Sequence, residues 1–312
     1  MKKSLVLGLL ASFFFAFTFI LNKQMSLMGG SWLYSASLRY IFTLPILAFI
    51  MIIKKQMKPV FVAIKEQPIK WFLWSLVGFG FFYAPLSFAS SYGPSWLVAG
   101  TWQVTIIAGA LMSPLFFAKV IEDGGERFVR NKIPVKSLLM SLFILVGVGL
   151  MQIEQSTVLS PVEMMLGTLP VIIAAFAYPL GNRKMIEVSK GQLTTLQRIF
   201  GMTLCSMPFW ILLFIIGFVK TGMPAQQQVY QSLIVAVFTG IIATTLFFKA
   251  MDLVSGDMRR MAIIESTQSG AVLWTILGGI LVFGNTIPAN LSIVGLCFIV
   301  IGMIANRLAI RR

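Results

Sequence analysis

The 312-residue chain contains no histidine. That removes the commonest metal ligand and the commonest general base of enzymes. Cysteine is nearly absent as well. Cys205 and Cys297 are its only two, both inside apolar runs. A disulfide framework is excluded, and two buried thiols are the expectation. Charge is scarce at 11% of residues, while 58% are hydrophobic. Soluble domains carry roughly 25% charged residues, so a soluble fold is excluded. Acids are scarcer than bases, 10 against 25, which gives a net charge of +15. Such a balance can serve nucleic acid, but the placement of the bases argues for a membrane instead. No nucleotide-binding motif is present. The segment Glu122-Asp123-Gly124-Gly125-Glu126-Arg127 reads as a solvated linker, since nothing frames it as a phosphate loop. No metal or cofactor is expected. The chain is not expected to be an enzyme, because no cluster of acids or histidines marks a membrane-embedded transferase.

What the chain has in abundance is apolar runs of about 20 residues, each long enough to span a bilayer. Ten are expected. The first is Ser4 to Asn22, the second Ser31 to Ile53, the third Ile69 to Ser90, the fourth Ser95 to Ala118 and the fifth Val135 to Ile153. The sixth is Val162 to Asn182, the seventh Leu193 to Val219, the eighth Tyr230 to Leu253, the ninth Met258 to Phe283 and the tenth Pro288 to Leu308. The first is read as an uncleaved helix, because no small-residue cleavage site precedes Asn22-Lys23. With this division, 20 Lys and Arg fall in the loops and ends of one side and only Lys23 and Lys220 on the other. The positive-inside rule then makes the chain a multi-pass protein of the cell membrane with both termini cytoplasmic.

The two halves, 1–153 and 154–312, echo each other. Asn22-Lys23-Gln24-Met25 matches Asn182-Arg183-Lys184-Met185, and Arg39 with Phe42 answers Arg198 with Phe200. Gly80, Leu86 and Phe88 recur at the same spacing as Gly240, Leu246 and Phe248. Phe143 to Gly147 resembles Phe298 to Gly302, and Thr101-Trp102-Gln103 falls on Ser266-Thr267-Gln268. Five spans is an odd number, so the second copy enters the membrane inverted. The expected fold is all-α and integral to the membrane, ten helices as two inverted five-helix repeats in one membrane domain. Secondary transporters use this architecture, with substrate near the midplane between the repeats.

Ten spans in inverted halves, with an arginine near the start of the second and seventh, resemble the drug/metabolite transporter superfamily. Its members often carry a glutamate before a proline in the fourth and ninth spans. Here Gln103-Val104 and Gln268-Ser269 stand there, and the acid of the ninth span is Glu265. Gly-Glu at the end of these helices is replaced by Gly284-Asn285 in the ninth. This pattern is similar to a divergent multidrug-efflux branch. The resemblance implies an exporter of small organic molecules or drugs, driven by protons and working by alternating access. A transporter of an amino acid or sugar derivative is the alternative, and a non-transporting membrane partner or sensor a further one. Partners would be substrate, protons and the bilayer; oligomeric state stays open, a monomer included.

Glu265 is the only acid these boundaries place deep in a span, ~15 Å in at 1.5 Å per residue. A carboxylate in a bilayer is costly and marks a functional site by default. It is the candidate proton or cation site; a buried pair with Lys249 is the structural alternative. Gln103 and Gln268 are expected on two sides of one cavity, or else as glue between helices. Tyr83, Trp102 and Tyr178 are candidate cavity walls. Arg39 and Arg198 are expected to gate or brace the helix mouths. Pro45, Pro85, Pro114, Pro170, Pro179 and Pro208 would interrupt spans as hinges or packing kinks.

Overall fold

The computed structural model describes residues 1–122, 125–155, 158–189, 191–284 and 290–309. The order of elements is α1 (Lys2–Leu27), α2 (Trp32–Ile53), α3 (Met57–Glu66), α4 (Pro68–Ala89), α5 (Ser95–Leu111), β1 (Phe117–Glu122), β2 (Gly125–Arg130) and α6 (Val135–Gln155). There follow α7 (Pro161–Val188), α8 (Thr195–Thr221), α9 (Gln226–Asp252), α10 (258–283) and α11 (Asn290–Ala309). Among the described residues, α1, α2, α4, α7, α8 and α9 are long and apolar enough to cross a membrane. Ser95–Leu111, Leu138–Glu154 and Asn290–Gly302 are shorter apolar helices. Outward-facing side chains such as Leu281 (81% exposed) and Ile69 (80%) would be liabilities in water and suit a lipid surroundings.

Local chemistry sets the ends. Ser160 and Glu163 form a capping box on α7, and Thr194 and Gln197 form another on α8. Each box satisfies orphan amides of a first turn. Gly222, at φ 72°, ends α8 in a conformation that side-chain-bearing residues resist. Sequence and structure differ at several places. The fourth helix stops at Leu111 instead of Ala118, because Pro114 lacks an N–H and only a short 3₁₀ turn, Ser113–Leu115, follows. Beyond it the expected linker is an antiparallel hairpin, Phe117 pairing with Arg130 and Glu122 with Gly125; Asp123 and Gly124 lie outside the described residues. The sixth helix continues past Asn182 to Val188, since no breaker intervenes before Gly191. Asn285 and Pro288, at the ninth and tenth span ends, also lie outside the described residues. Cys205 is half-buried and Cys297 exposed, so the second thiol is not interior: its side of α11 faces outward.

Irregularities recur at matching positions of the two halves. Helix α4 widens to a π-helix over Leu76–Gly80, and α9 over Ala236–Ala243. Each segment contains the glycine of the Gly80/Gly240 match. Helix α5 breaks at Trp102-Gln103, and α10 tightens to a 3₁₀ turn at Thr267–Ser269. Pro45, Pro85, Pro170, Pro179 and Pro208 lie inside helices.

Helices α6 and α11 pack along a glycine seam. A Cβ on Gly147 would lie 2.9 Å from Ile299 Cγ1 and 3.1 Å from its amide nitrogen. A Cβ on Gly302 would lie 2.7 Å from Ile144 Cγ1 and 3.1 Å from its amide nitrogen. Both notches pair a glycine with an isoleucine, with the helices exchanged, and Gly147 also abuts the Gly295 carbonyl.

Candidate functional site

Glu265 is the last residue but one of the first segment of α10, just before its 3₁₀ turn. It is 3% exposed. Its Oε1 accepts from Arg183 Nη2 at 2.7 Å. Arg183 Nη1 donates to the Gly109 carbonyl of α5, also at 2.7 Å. Gly109 has no side chain because there is no room for one. A Cβ there would meet Arg183 Nη2 at 2.9 Å and would strike the Glu265 carboxylate. The buried pair is thus clamped between α5, α7 and α10. Lys249, the partner in the structural alternative, is exposed and lines a vestibule instead. The reason is helix length: α7 extends a full turn further than the sequence pattern suggested and carries Arg183 inward.

Arg198 pairs with Asp252 Oδ1 at 2.8 Å, and Thr195 donates to the other carboxylate oxygen at 2.6 Å. This group stands at the inner wall of an open vestibule of about 550 Å³. Lys54, Lys249, the turn between α7 and α8, and the end of α9 line it. Arg198 and Ile186 also line a small void that reaches Arg183, Glu265, Tyr178 and Gln268. Tyr178 and Gln268 in turn line a second void, with Phe82, Trp102 and Phe19. One broken path therefore runs from the vestibule to the aromatic centre. The opposite end is tied shut between the halves. Gln228 Nε2 donates to Ser31 O at 2.7 Å and to Ser35 Oγ at 3.0 Å, and the Tyr34 hydroxyl donates to Gly222 O.

The aromatic centre is dense. Phe82 and Tyr178 ring centroids are 4.5 Å apart, Phe82 and Trp102 5.1 Å, and Trp102 and Tyr178 5.5 Å. Trp102 Nε1 donates to Gln268 Oε1 at 3.0 Å, joining the two halves. Gln103 behaves differently from the expectation. Its Nε2 turns back to Ala99 O of its own helix at 2.9 Å, and it is absent from the walls of the voids that Gln268 lines. The break in α5 sets this: Trp102, one residue earlier, faces Gln268. Tyr83 is fully buried, donates to Asn22 Oδ1 at 3.2 Å and lies under Arg39, whose guanidinium carbon is 3.9 Å from the ring centroid.

Sequence reasoning missed Arg183 and Asp252 as partners. The sequence division leaves Arg183 just beyond the end of the sixth span. The signal that could have found it was the lack of any Gly or Pro between Asn182 and Gly191. No group of three or more His, Cys, Asp or Glu able to hold a metal occurs among the described residues.

The chain matches, over residues 2–312, the family described as "EmrE: Putative multidrug resistance efflux transporter". It is 49% identical over 307 residues to "Uncharacterized protein YjlA" of Bacillus subtilis (strain 168), covering 98% of this chain and 95% of that one. It is 48% identical over 268 residues to an "Uncharacterized 42.1 kDa protein in intracellular alkaline protease 3'region" of Shouchella clausii, covering 86% and 70%. A solved structure titled "Crystal structure of protein" is similar in fold, with a TM-score of 0.69 at 14% identity over 100% of this chain and 99% of that one.

Proposed function

Because the chain belongs to the EmrE family of multidrug resistance efflux transporters, we propose that it is a proton-coupled secondary transporter of the cytoplasmic membrane that exports small organic molecules. Ten spans in two inverted five-helix halves would rock about a central site. The matched π-helices, the matched breaks of α5 and α10 and the exchanged notches of α6 and α11 support that reading. Discontinuous helices near the midplane are where such folds bind their cargo. The basic residues at the vestibule make its mouth cytoplasmic by the positive-inside rule. The bonds that Gln228 donates to Ser31 and Ser35, and Tyr34 to Gly222, close the outer end, so this conformation faces inward.

The observation that carries the coupling is the Arg183–Glu265 pair at the inner end of the broken path. A proton on Glu265 removes its charge and cuts the attraction to Arg183. The clamp on Gly109 of α5 then loosens, and the halves are free to part. Arg198 and Asp252 act as the inner gate between vestibule and void.

The test uses proteoliposomes with an imposed pH gradient and a pH-sensitive dye inside. Ethidium, phenylalanine and glucosamine serve as probes. The wild type should let at least one probe collapse the gradient. Glu265→Gln, normalised to folded protein, should not. Probe exchange without proton movement in the wild type would replace proton coupling by substrate exchange.

A further inference from the structure

Arg39 is the buried charge that the proposed cycle leaves unused. It sits in α2 and is 1% exposed, yet its Nε and Nη1 have no hydrogen-bond partner. Aromatic rings surround it instead. Its guanidinium carbon is 3.9 Å from the Tyr83 centroid, 5.3 Å from Tyr40 and 6.0 Å from Phe82. Arg183 and Arg198 each meet a carboxylate. Arg39 meets none among the described residues. The repeat explains the difference. The register that aligns Gly80 with Gly240 and Phe88 with Phe248 places Tyr92 opposite Asp252. The first half thus lacks the acid that answers Arg198 in the second.

A buried cation without a counterion is costly, and rings offset only part of that cost. Another polar atom nearby is equally unanswered. Gln268 Nε2 is buried, lines the voids of the broken path and makes no hydrogen bond. The Tyr178 hydroxyl, on the same walls, has the Asn182 amide as its polar neighbour. Phe82 links the two groups: it flanks Arg39 and walls the void beside Tyr178 and Trp102. Buried polar atoms are nearly always paired, and exceptions of this kind call for a cause.

We propose that Arg39 is the anion-binding point of the transport site and takes the carboxylate of an organic acid or amino acid. The apolar or aromatic body of that molecule would lie against Phe82, Trp102 and Tyr178. Gln268 and Asn182 would meet its polar groups. One guanidinium balances one negative charge, which favours a carboxylate over a doubly charged phosphate. Glu265 already has Arg183 as its cation, so the chain's own charges do not call for a cationic cargo. The inference rests on the transporter reading above and narrows its substrate.

Purified protein would be melted with 3-phenylpropionate, phenylalanine or phenethylamine, in the wild type, Arg39→Met and Arg39→Lys. A carboxylate-bearing probe should raise the melting temperature of the wild type; phenethylamine, with only its amine, should not. Arg39→Met should melt no lower than the wild type, because an unpaired charge is gone, and should bind the carboxylates about 10- to 100-fold more weakly, the loss of one charged hydrogen-bonding group. Arg39→Lys keeps the charge and should retain a weaker response if Arg39→Met does not fold. A response to phenethylamine alone, an unchanged carboxylate response in Arg39→Met or Arg39→Lys alike, or no wild-type response to either carboxylate overturns the proposal. Flux separates it from the broader reading. Ethidium export by Arg39→Met at the wild-type rate would overturn the anion site and leave a transporter. Carboxylate binding without flux of any probe would support the site and end the transporter reading.

Discussion

Replacing Glu265 by glutamine removes one charge from a pair sealed inside the protein. Arg183 would keep its bond to the Gly109 carbonyl at 2.7 Å but lose the carboxylate at 2.7 Å. Both side chains are almost fully buried, 2% and 4% exposed, so water cannot compensate. Breaking such a pair from one side costs about 3–5 kcal/mol, most of it the stranded charge. Larger chains lose about 2 °C per kcal/mol, so the melting temperature should fall by about 6–10 °C. Arg183→Met alone should fall similarly, because the carboxylate is then stranded. The double variant, Arg183→Met with Glu265→Leu, removes both charges and restores packing. It should melt within a few degrees of the wild type or above it, since apolar replacements of buried pairs are often neutral or stabilising by about 1–4 kcal/mol. Thermal unfolding in detergent, followed by tryptophan fluorescence, measures all four proteins. Additive losses in the double variant, or single variants within about 1 kcal/mol of the wild type, would refute the pairing. The same series with Lys249→Met should show no rescue, because Lys249 is exposed and lines the vestibule, not the void beside the pair.

Other consequences are accessible to simple assays. Asp252→Asn should cost about 1–3 kcal/mol, because it weakens the charge facing Arg198, which is only 5% exposed; in a cysteine-free background it should raise maleimide labelling of Ile186→Cys from the vestibule side. Trp102→Phe removes the bond to Gln268 and should lower stability by about 1 kcal/mol, read as a small shift in melting temperature. Gly147→Val and Gly302→Val should each cost about 1–3 kcal/mol through overpacking of the seam, Gly147→Val the more because the Gly295 carbonyl, not a side chain alone, stands in the way. Reporter fusions at Lys58 should signal cytoplasm and those at Met223 the outside.

Much of this was legible in the sequence. Apolar runs gave most helix positions to within a few residues, the ends of the fourth and sixth spans excepted. The glycine match that suggests a repeat, Gly80 with Gly240, falls within the two π-helical segments. Glu265 stood out because no other acid is so deep. The partner of Glu265 was not legible: α7 had to outrun its apolar stretch before Arg183 could turn inward. Nor was the swap of Gln103 for Trp102 as the residue facing Gln268. An alignment gives which residues correspond, but a helix break rotates the chain, and rotation decides which side chain meets which. The hairpin after Pro114 was hidden for a similar reason, since its strands carry charges that read as loop.

The seam between α6 and α11 bears on how the proposed cycle would divide its labour. Gly147 receives Ile299 as Gly302 receives Ile144, and Gly147 also abuts the Gly295 carbonyl. Under the proposed rocking, such notches would serve the scaffold in both of its poses, while the gradients of proton and cargo would set the direction of net flux. What differs between the ends is charge. Arg198 carries its own acid and Arg39 meets none among the described residues. One end would then close on its own charges while the other would wait for a charge brought by the cargo.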